Sequence, residues 1–393
     1  MHSLSGSNED LVLVIDAGTT NFKVLLFDRN GETRGRYNAP LAKRTPNSGW
    51  VEQDPAEFRD LAFKLVAQAV REASGPILAG GITNQRETCI VWDGATGEPL
   101  HPALVWEDER TAALCDEMSR DTHRVGRIRA KTGLTLCPYF TATKLRWVLD
   151  NVPAVQSAKD LRFGTVDSWL LYCLTNGRIH ATDNTNASRT LLFNIKTREW
   201  DDELLEIFGI PRSILPKVLP SFGDFGTINI AIAGQELPIL AVIGDQQSSL
   251  YAAGFEPGTV KVTYGTGIFP MRLLGDEWML RDSLSTTLAV GEGGRPVYAL
   301  EGKVGDAANR VSPVRNDPEK LDAVVKQLAL ETHPILQSLL TPDNTSVVAD
   351  GGISQNDTLL EEQTRLCGIP IVRQKTPQAT ALGVAKLIFD GLN

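Results

Sequence analysis

Asp16, Gly18, Thr19, Thr20, Asn21 and Lys23, close together in "VIDAGTTNFKVLLFD", are residue types suited to handling phosphate. A turn of glycine and hydroxyl residues presents backbone N–H groups with little steric cover, so an anion can approach. Asp16, closing the preceding apolar run, suits a Mg²⁺ ion held through water, and Lys23 suits a β- or γ-phosphate as a point charge. The string is not the G-x-x-x-x-G-K-[ST] of a P-loop, and a plain hairpin turn uses the same residues. The plan recurs in "TVKVTYGTGIFPMRLLGD", where Gly265-Thr266 stands in the place of Gly18-Thr19 and Gly267 follows. A repeat at so long a distance predicts a duplicated domain.

The elements that must carry these turns are legible. Apolar β-branched runs flank each Gly-Thr pair, giving a strand, turn, strand unit at both places. Elsewhere, short apolar runs such as "ILAGGITNQ" and "TSVVADGG" end in glycine or polar residues and alternate with helical patterns, which predicts α/β layers. In "EKLDAVVKQLALETHPILQSLL", Leu321, Val324, Val325 and Leu328 share one helix face, and Pro334 is expected to kink or end that helix. The rest of the second half reads as three strands, then a helix and a strand in alternation, ending on a helix.

Composition narrows the function. The 393 residues exceed one core and suit two domains. With 39 basic against 48 acidic residues the net charge is −9, which disfavours nucleic acid and favours a small-molecule partner. No apolar run approaches the ~20 residues of a membrane span. "MHSLSGSNED" has neither basic nor apolar signal regions, so it reads as a polar leader and points to the cytoplasm. Five scattered cysteines without a C-x-x-C pair predict buried, reduced thiols and neither a disulfide framework nor a zinc site.

Longer motifs then become specific. "GITNQRET", "VWEDERT", "PYFTATKLRWVLDN", "FGTVDSWLLYCLT", "TDNTNASRTLLFNI", "GDQQSSL" and "YGTGIF", followed by "VVADGGISQND" and "TALGVA", resemble glycerol kinases of the FGGY carbohydrate-kinase family. The resemblance implies two duplicated actin-like, ribonuclease H-like ATPase domains around a cleft: an N-terminal domain over residues 10–252 and a shortened C-terminal one over 253–393. It implies ATP and Mg²⁺, with glycerol or a similar small polyol as acceptor.

By the same resemblance, Asp245 is the base that takes the proton of the attacking hydroxyl, although an aspartate before "QQSSL" also suits a helix cap. Arg86 and Glu87 would bind polyol hydroxyls, their bland alternative being a surface ion pair. Gln246 would bind another hydroxyl. Trp106, Tyr139 and Phe269 would wall the carbon chain, though without the resemblance each aromatic reads as core. Thr19, Thr20, Asn21, Lys23, Thr266, Gly267, Gly352 and Asn356 would hold the nucleotide, and Asp16 the metal. Gly352 sits in a glycine-rich turn that could equally be a tight strand-to-helix connection.

The resemblance breaks after "ALEG", where family members continue into a helix ending "QWLRD" and a long excursion, and this chain reads "KVGDAANRVSPVRNDPEK". Apolar surface left by the missing block would invite a partner or a homo-oligomer. Three functions follow: an active ATP-dependent polyol phosphotransferase, a catalytically weak polyol-binding or regulatory protein, and an actin-like polymer subunit.

Overall fold

The structure, a computed structural model, describes residues 10–392, so almost all of the polar leader lies outside the described residues. The chain divides into two compact units. One runs up to Asp245 and regains the chain from Val384; the other is Gln246–Gly383.

In the first unit, strands β1 (Leu11–Ala17), β2 (Asn21–Asp28) and β3 (Thr33–Pro40) form an antiparallel meander. Strands β4 (Ile77–Asn84) and β6 (Leu237–Gly244) extend it in parallel, and the short β5 (Thr227–Ile228) closes the edge in the order β3-β2-β1-β4-β6-β5. Every residue of β1 is buried, so both faces of the sheet are covered there. That explains its continuous apolar run.

Helix α1 (Pro55–Glu72) covers one face. Asp54 caps it by accepting from Ala56 N–H at 2.9 Å, Pro55 opens it, and Phe58, Ala62, Leu65, Val66 and Ala69 recur at helical spacing. They join Leu13, Ile15, Phe22, Val24 and Trp169, the last on helix α3 (Val166–Leu174), in one core.

The second unit repeats the plan. Strands β7 (Val260–Tyr264), β8 (Ile268–Gly275), β9 (Ser285–Val290) and β10 (Pro296–Glu301) are antiparallel, while β11 (Val347–Asp350) and β12 (Ile371–Arg373) add in parallel, in the order β9-β10-β8-β7-β11-β12. Here the sequence reading needs correction. It expected three strands before the helix, and "STTLAV" supplies a fourth, β9, paired along the whole of β10.

At Pro334, where a kink or an end was expected, the end is not found. Helix α5 (Pro318–Leu339) runs through it for five more residues. Leu336 and Leu339 beyond the proline are fully buried, one in the main core and one against Leu274, Leu284 and Leu300. That burial outweighs the ~3 kcal/mol by which an interior proline disfavours a helix. Leu321, Val324, Val325 and Leu328 face the core as their spacing predicts.

All five cysteines are free, but only Cys89 and Cys115 are buried; Cys137, Cys173 and Cys367 are half-buried. Among the described residues no helix is long and apolar enough to cross a membrane.

Candidate active site

The first Gly-Thr turn joins β1 to β2. Gly18 N–H donates to the Asn21 carbonyl at 3.1 Å, which closes the hairpin. Asp16 and Lys23 are register partners across it, and their side chains pair at 2.7 Å. Thr20 and Asn21 are exposed at the tip, with the Asn21 amide donating to Thr20 Oγ1 at 3.2 Å. A side chain at Gly18 would place its Cβ 3.1 Å from the Asn21 carbonyl oxygen and 4.0 Å from Asp16 Oδ1, filling the cradle.

These residues fit a nucleotide's phosphates. The tip offers hydroxyls and an amide, Lys23 offers charge, and the single Asp16 carboxylate suits a Mg²⁺ ion that keeps most of its waters and takes phosphate oxygens. Among the described residues no three His, Cys, Asp or Glu side chains group as a metal site, which a metal held mainly by substrate does not require.

The loop after β4 carries Gln85, Arg86 and Glu87, each at most 2% exposed. The surface ion pair considered for Arg86 and Glu87 is therefore excluded. Arg86 Nε lies 3.1 Å from Asp245 Oδ1 and 3.9 Å from Glu87 Oε1. Glu87 takes its main partner from elsewhere, with Arg189 Nε at 2.6 Å. Glu87 also has φ of +62°, a left-handed conformation that costs a non-glycine residue about 1 kcal/mol or more. Such strain persists where the surroundings over-determine it, as the Arg189 pair does here.

Arg189 was not singled out from the sequence, although it lies in a quoted motif. Fully buried, it also sets its guanidinium 5.1 Å from the Phe140 ring centre and 5.8 Å from that of Tyr139. Lys144 was missed too. It belongs to helix α2 (Thr141–Asn151), and its ammonium donates to the carbonyls of Pro138 and Tyr139 at 2.9 and 2.6 Å. Burial lowers its pKa to about 8, against the opposing pull of Glu87. Lys144 thus fixes the loop that presents Tyr139, and Tyr139 meets Trp106 edge to face at 5.8 Å.

Asp245 stands at the end of β6, as the first residue of helix α4 (Asp245–Ala253). Its side chain is 26% exposed, whereas that of Glu87 on the same arginine is 2% exposed. The backbone beneath it is held from the side. Gly244 N–H donates to Thr185 Oγ1 at 2.8 Å, and Asp183 accepts from the Thr185 and Ser221 hydroxyls at 2.7 Å each. Burial pushes the Asp183 carboxyl pKa upward against those hydrogen bonds.

In the second unit, Gln246 Oε1 accepts from the buried Lys261 ammonium at 2.6 Å. Lys261 also donates to Thr263 Oγ1 at 2.7 Å, and Thr263 donates to Asp350 at 2.7 Å. Ser249 donates to the other oxygen of Asp350. Phe269 is buried on β8, opposite Thr263.

The second Gly-Thr turn is tied by Gly265 N–H to the Gly267 carbonyl at 3.0 Å, and its Thr266 carbonyl accepts from Ala308 N–H at 3.2 Å. Ala308 belongs to a five-residue helix, Ala307–Val311, in the stretch where the family resemblance breaks. Gly352 opens a 3₁₀ turn, and among the described residues beyond its chain neighbours nothing lies within 4 Å of its would-be Cβ. Asn356 ends that turn, and its side-chain oxygen caps helix α6 (Asp357–Cys367) by accepting from Leu359 N–H at 3.1 Å.

Sequence comparison adds an independent finding. The profile "FGGY family of carbohydrate kinases, N-terminal domain" matches residues 11–252, well over half of the chain, and the C-terminal profile of the same family matches residues 310–389. The chain belongs to the FGGY family of carbohydrate kinases.

Among FGGY relatives, the glycerol kinase of Symbiobacterium thermophilum is 36% identical, covering 97% of this chain and 89% of the relative. That of Thermus brockianus is 39% identical over 95% and 88%. The crystal structure of Plasmodium falciparum glycerol kinase with ADP superposes with a TM-score of 0.88 at 28% identity, covering 96% of this chain and 88% of that one. The Symbiobacterium match spans 445 aligned positions, more than the 393 residues here, so that relative carries internal segments with no counterpart in this chain.

Proposed function

We propose that this FGGY kinase phosphorylates glycerol at a terminal hydroxyl, using ATP. One observation carries the reading above the others: Arg86, buried beside Glu87, meets the partly open Asp245 carboxylate at 3.1 Å. In this reading Asp245 is a proton acceptor beside a buried cationic and anionic pair whose chemistry suits neighbouring hydroxyls of a polyol. The names of the relatives supply glycerol as the acceptor to test first.

ATP supplies the phosphoryl group and Mg²⁺ screens its charge. In this reading Asp245 accepts the proton of the attacking hydroxyl while that oxygen bonds to the γ-phosphorus and ADP leaves. Arg86 orients Asp245 and, with Glu87 and Gln246, binds the polyol hydroxyls. Trp106, Tyr139 and Phe269 cover its carbon chain. Thr19, Thr20, Asn21 and Lys23 take phosphate oxygens, with Asp16 for the hydrated metal, and Thr266, Gly267, Gly352 and Asn356 serve the nucleotide from the second unit. In Asn356 the amide nitrogen is the group for that task, because its oxygen caps α6.

A coupled ADP-release assay with glycerol, ATP and Mg²⁺ tests the proposal. Turnover well above an Asp245→Asn control is expected, and turnover equal to that control ends it.

A second reading rests on the aligned positions that this chain lacks. We place that shortening after Gly302, in the unit assigned to the nucleotide, so the chain would be a polyol-binding or regulatory protein with weak ATP binding. Calorimetry decides: ordinary micromolar-to-millimolar MgATP affinity removes this reading, and glycerol binding without nucleotide binding favours it.

A further inference from the structure

Thr19 has two partners whose positions the phosphate hairpin alone does not explain. Its hydroxyl oxygen accepts from the Trp106 indole N–H at 2.9 Å, and its carbonyl accepts from the Gln53 carboxamide at 2.8 Å. Gln53 Oε1 in turn accepts from Gln85 Nε2 at 2.7 Å, and Gln85 N–H donates to the Ala17 carbonyl at 2.9 Å. Gln85 directly precedes Arg86. Two hydrogen-bonded paths therefore leave one hairpin residue, one ending on Trp106 and the other at the backbone of the Arg86 loop.

The second path is kept at a cost. Gln85 is 1% exposed, and its Oε1 has no hydrogen-bond partner among the described residues while its Nε2 is committed to Gln53. An unsatisfied buried acceptor costs roughly 1–3 kcal/mol, a cost set against the hydrogen bond that Gln85 gives Gln53. The first path has a chemical polarity. With Thr19 Oγ1 accepting the hydrogen bond from the indole N–H, its own hydroxyl proton remains to be donated, and a donor that is itself hydrogen-bonded donates more strongly.

We propose that Thr19 couples the two substrates. Its hydroxyl, oriented by Trp106, donates to a nucleotide phosphate, and its carbonyl, held through Gln53 and Gln85, reports the state of the polyol loop. Filling either site then orders the residue that serves the other, so glycerol and nucleotide strengthen each other's binding. This rests on the function proposed above. Gln53 acts through Thr19 as a positioning residue, Trp106 does so besides covering the polyol carbon chain, and neither touches the reacting atoms.

The test uses the full chain, with the Trp106 indole resonance assigned by loss in Trp106→Phe. Adding Mg²⁺ and a non-hydrolysable ATP analogue should shift that resonance in the parent and in Thr19→Ser, which keeps the hydroxyl, and not in Thr19→Val. Calorimetry should show glycerol raising analogue affinity about fivefold or more in the parent. That ratio should fall towards one in Thr19→Val and Gln53→Met, and Thr19→Ser should restore it.

Analogue binding without an indole shift, or variants that keep the parent ratio, overturns the coupling and leaves the kinase reading intact. Failure of the analogue to bind overturns both. If glycerol does not bind, the polyol assignment falls, and the indole shift alone decides the role of Thr19.

Discussion

Glu87 Oε1 and Arg189 Nε lie 2.6 Å apart, both at most 1% exposed, and the glutamate holds a left-handed backbone conformation. Two such buried charges are stable only together, since removing one partner leaves the other desolvated and uncompensated. Arg189→Met should therefore destabilise the protein by about 3–5 kcal/mol in urea unfolding, and combining it with Glu87→Gln in a double variant should recover much of that loss. A single-variant loss below about 1 kcal/mol would show that the pair is not what holds the loop.

Asp167 gives a pH prediction. It accepts from Thr165 and Thr182 hydroxyls at 2.5 and 2.6 Å inside the first unit, and burial with the nearby Asp183 raises its pKa to about 7. The folded state then binds a proton that the unfolded state has already lost near its ordinary value of 3.8. Stability from this group is accordingly present at low pH and declines as pH rises towards about 7. Melting temperature should fall between pH 5 and 7.5, and the slope should be visibly flatter in Asp167→Asn. An identical slope in that variant would assign the proton to another group.

Pro334 is exposed in the interior of a 22-residue helix. Pro334→Ala restores a backbone donor and a good helix former without touching the core, so it should stabilise by roughly 1–3 kcal/mol, less the proline's restriction of the unfolded chain. Thermal unfolding of the variant checks the sign.

Gly351 tests the second unit. It has φ of +88°, and a Cβ there would collide with the Tyr264 carbonyl oxygen, at the strand that feeds the second Gly-Thr turn. Gly351→Ala must displace backbone, and should lower stability by several kcal/mol and weaken nucleotide binding more than glycerol binding. Equal losses for both ligands would argue against a nucleotide role for this turn.

What was legible in the sequence were the features with local rules. The Gly-Thr hairpins, the apolar runs of β1 and β7, and the face of α5 follow from turn chemistry and periodicity, and each is found. β9 escaped because its pairing partner, not its own pattern, makes "STTLAV" a strand. Pro334 misled because the burial of Leu336 and Leu339 is a tertiary effect.

In the candidate site, Arg86, Glu87 and Asp245 are brought together. Arg189, Lys144, Lys261 and Asp183 went unassigned, since their work is to neutralise or hold another buried group far along the chain. The signal available for Arg189 and Asp183 was their place in "TDNTNASRT", a polar run of which the structure buries every residue.

In the proposed reaction Asp245 drives phosphoryl transfer to a polyol hydroxyl. Phosphorus NMR of the protein with glycerol, ATP and Mg²⁺ follows the transferred group itself. A growing glycerol phosphomonoester signal is expected from the parent protein, and less than about one-hundredth of that rate from Asp245→Asn. Inorganic phosphate as the sole product, or equal monoester from both proteins, would contradict it.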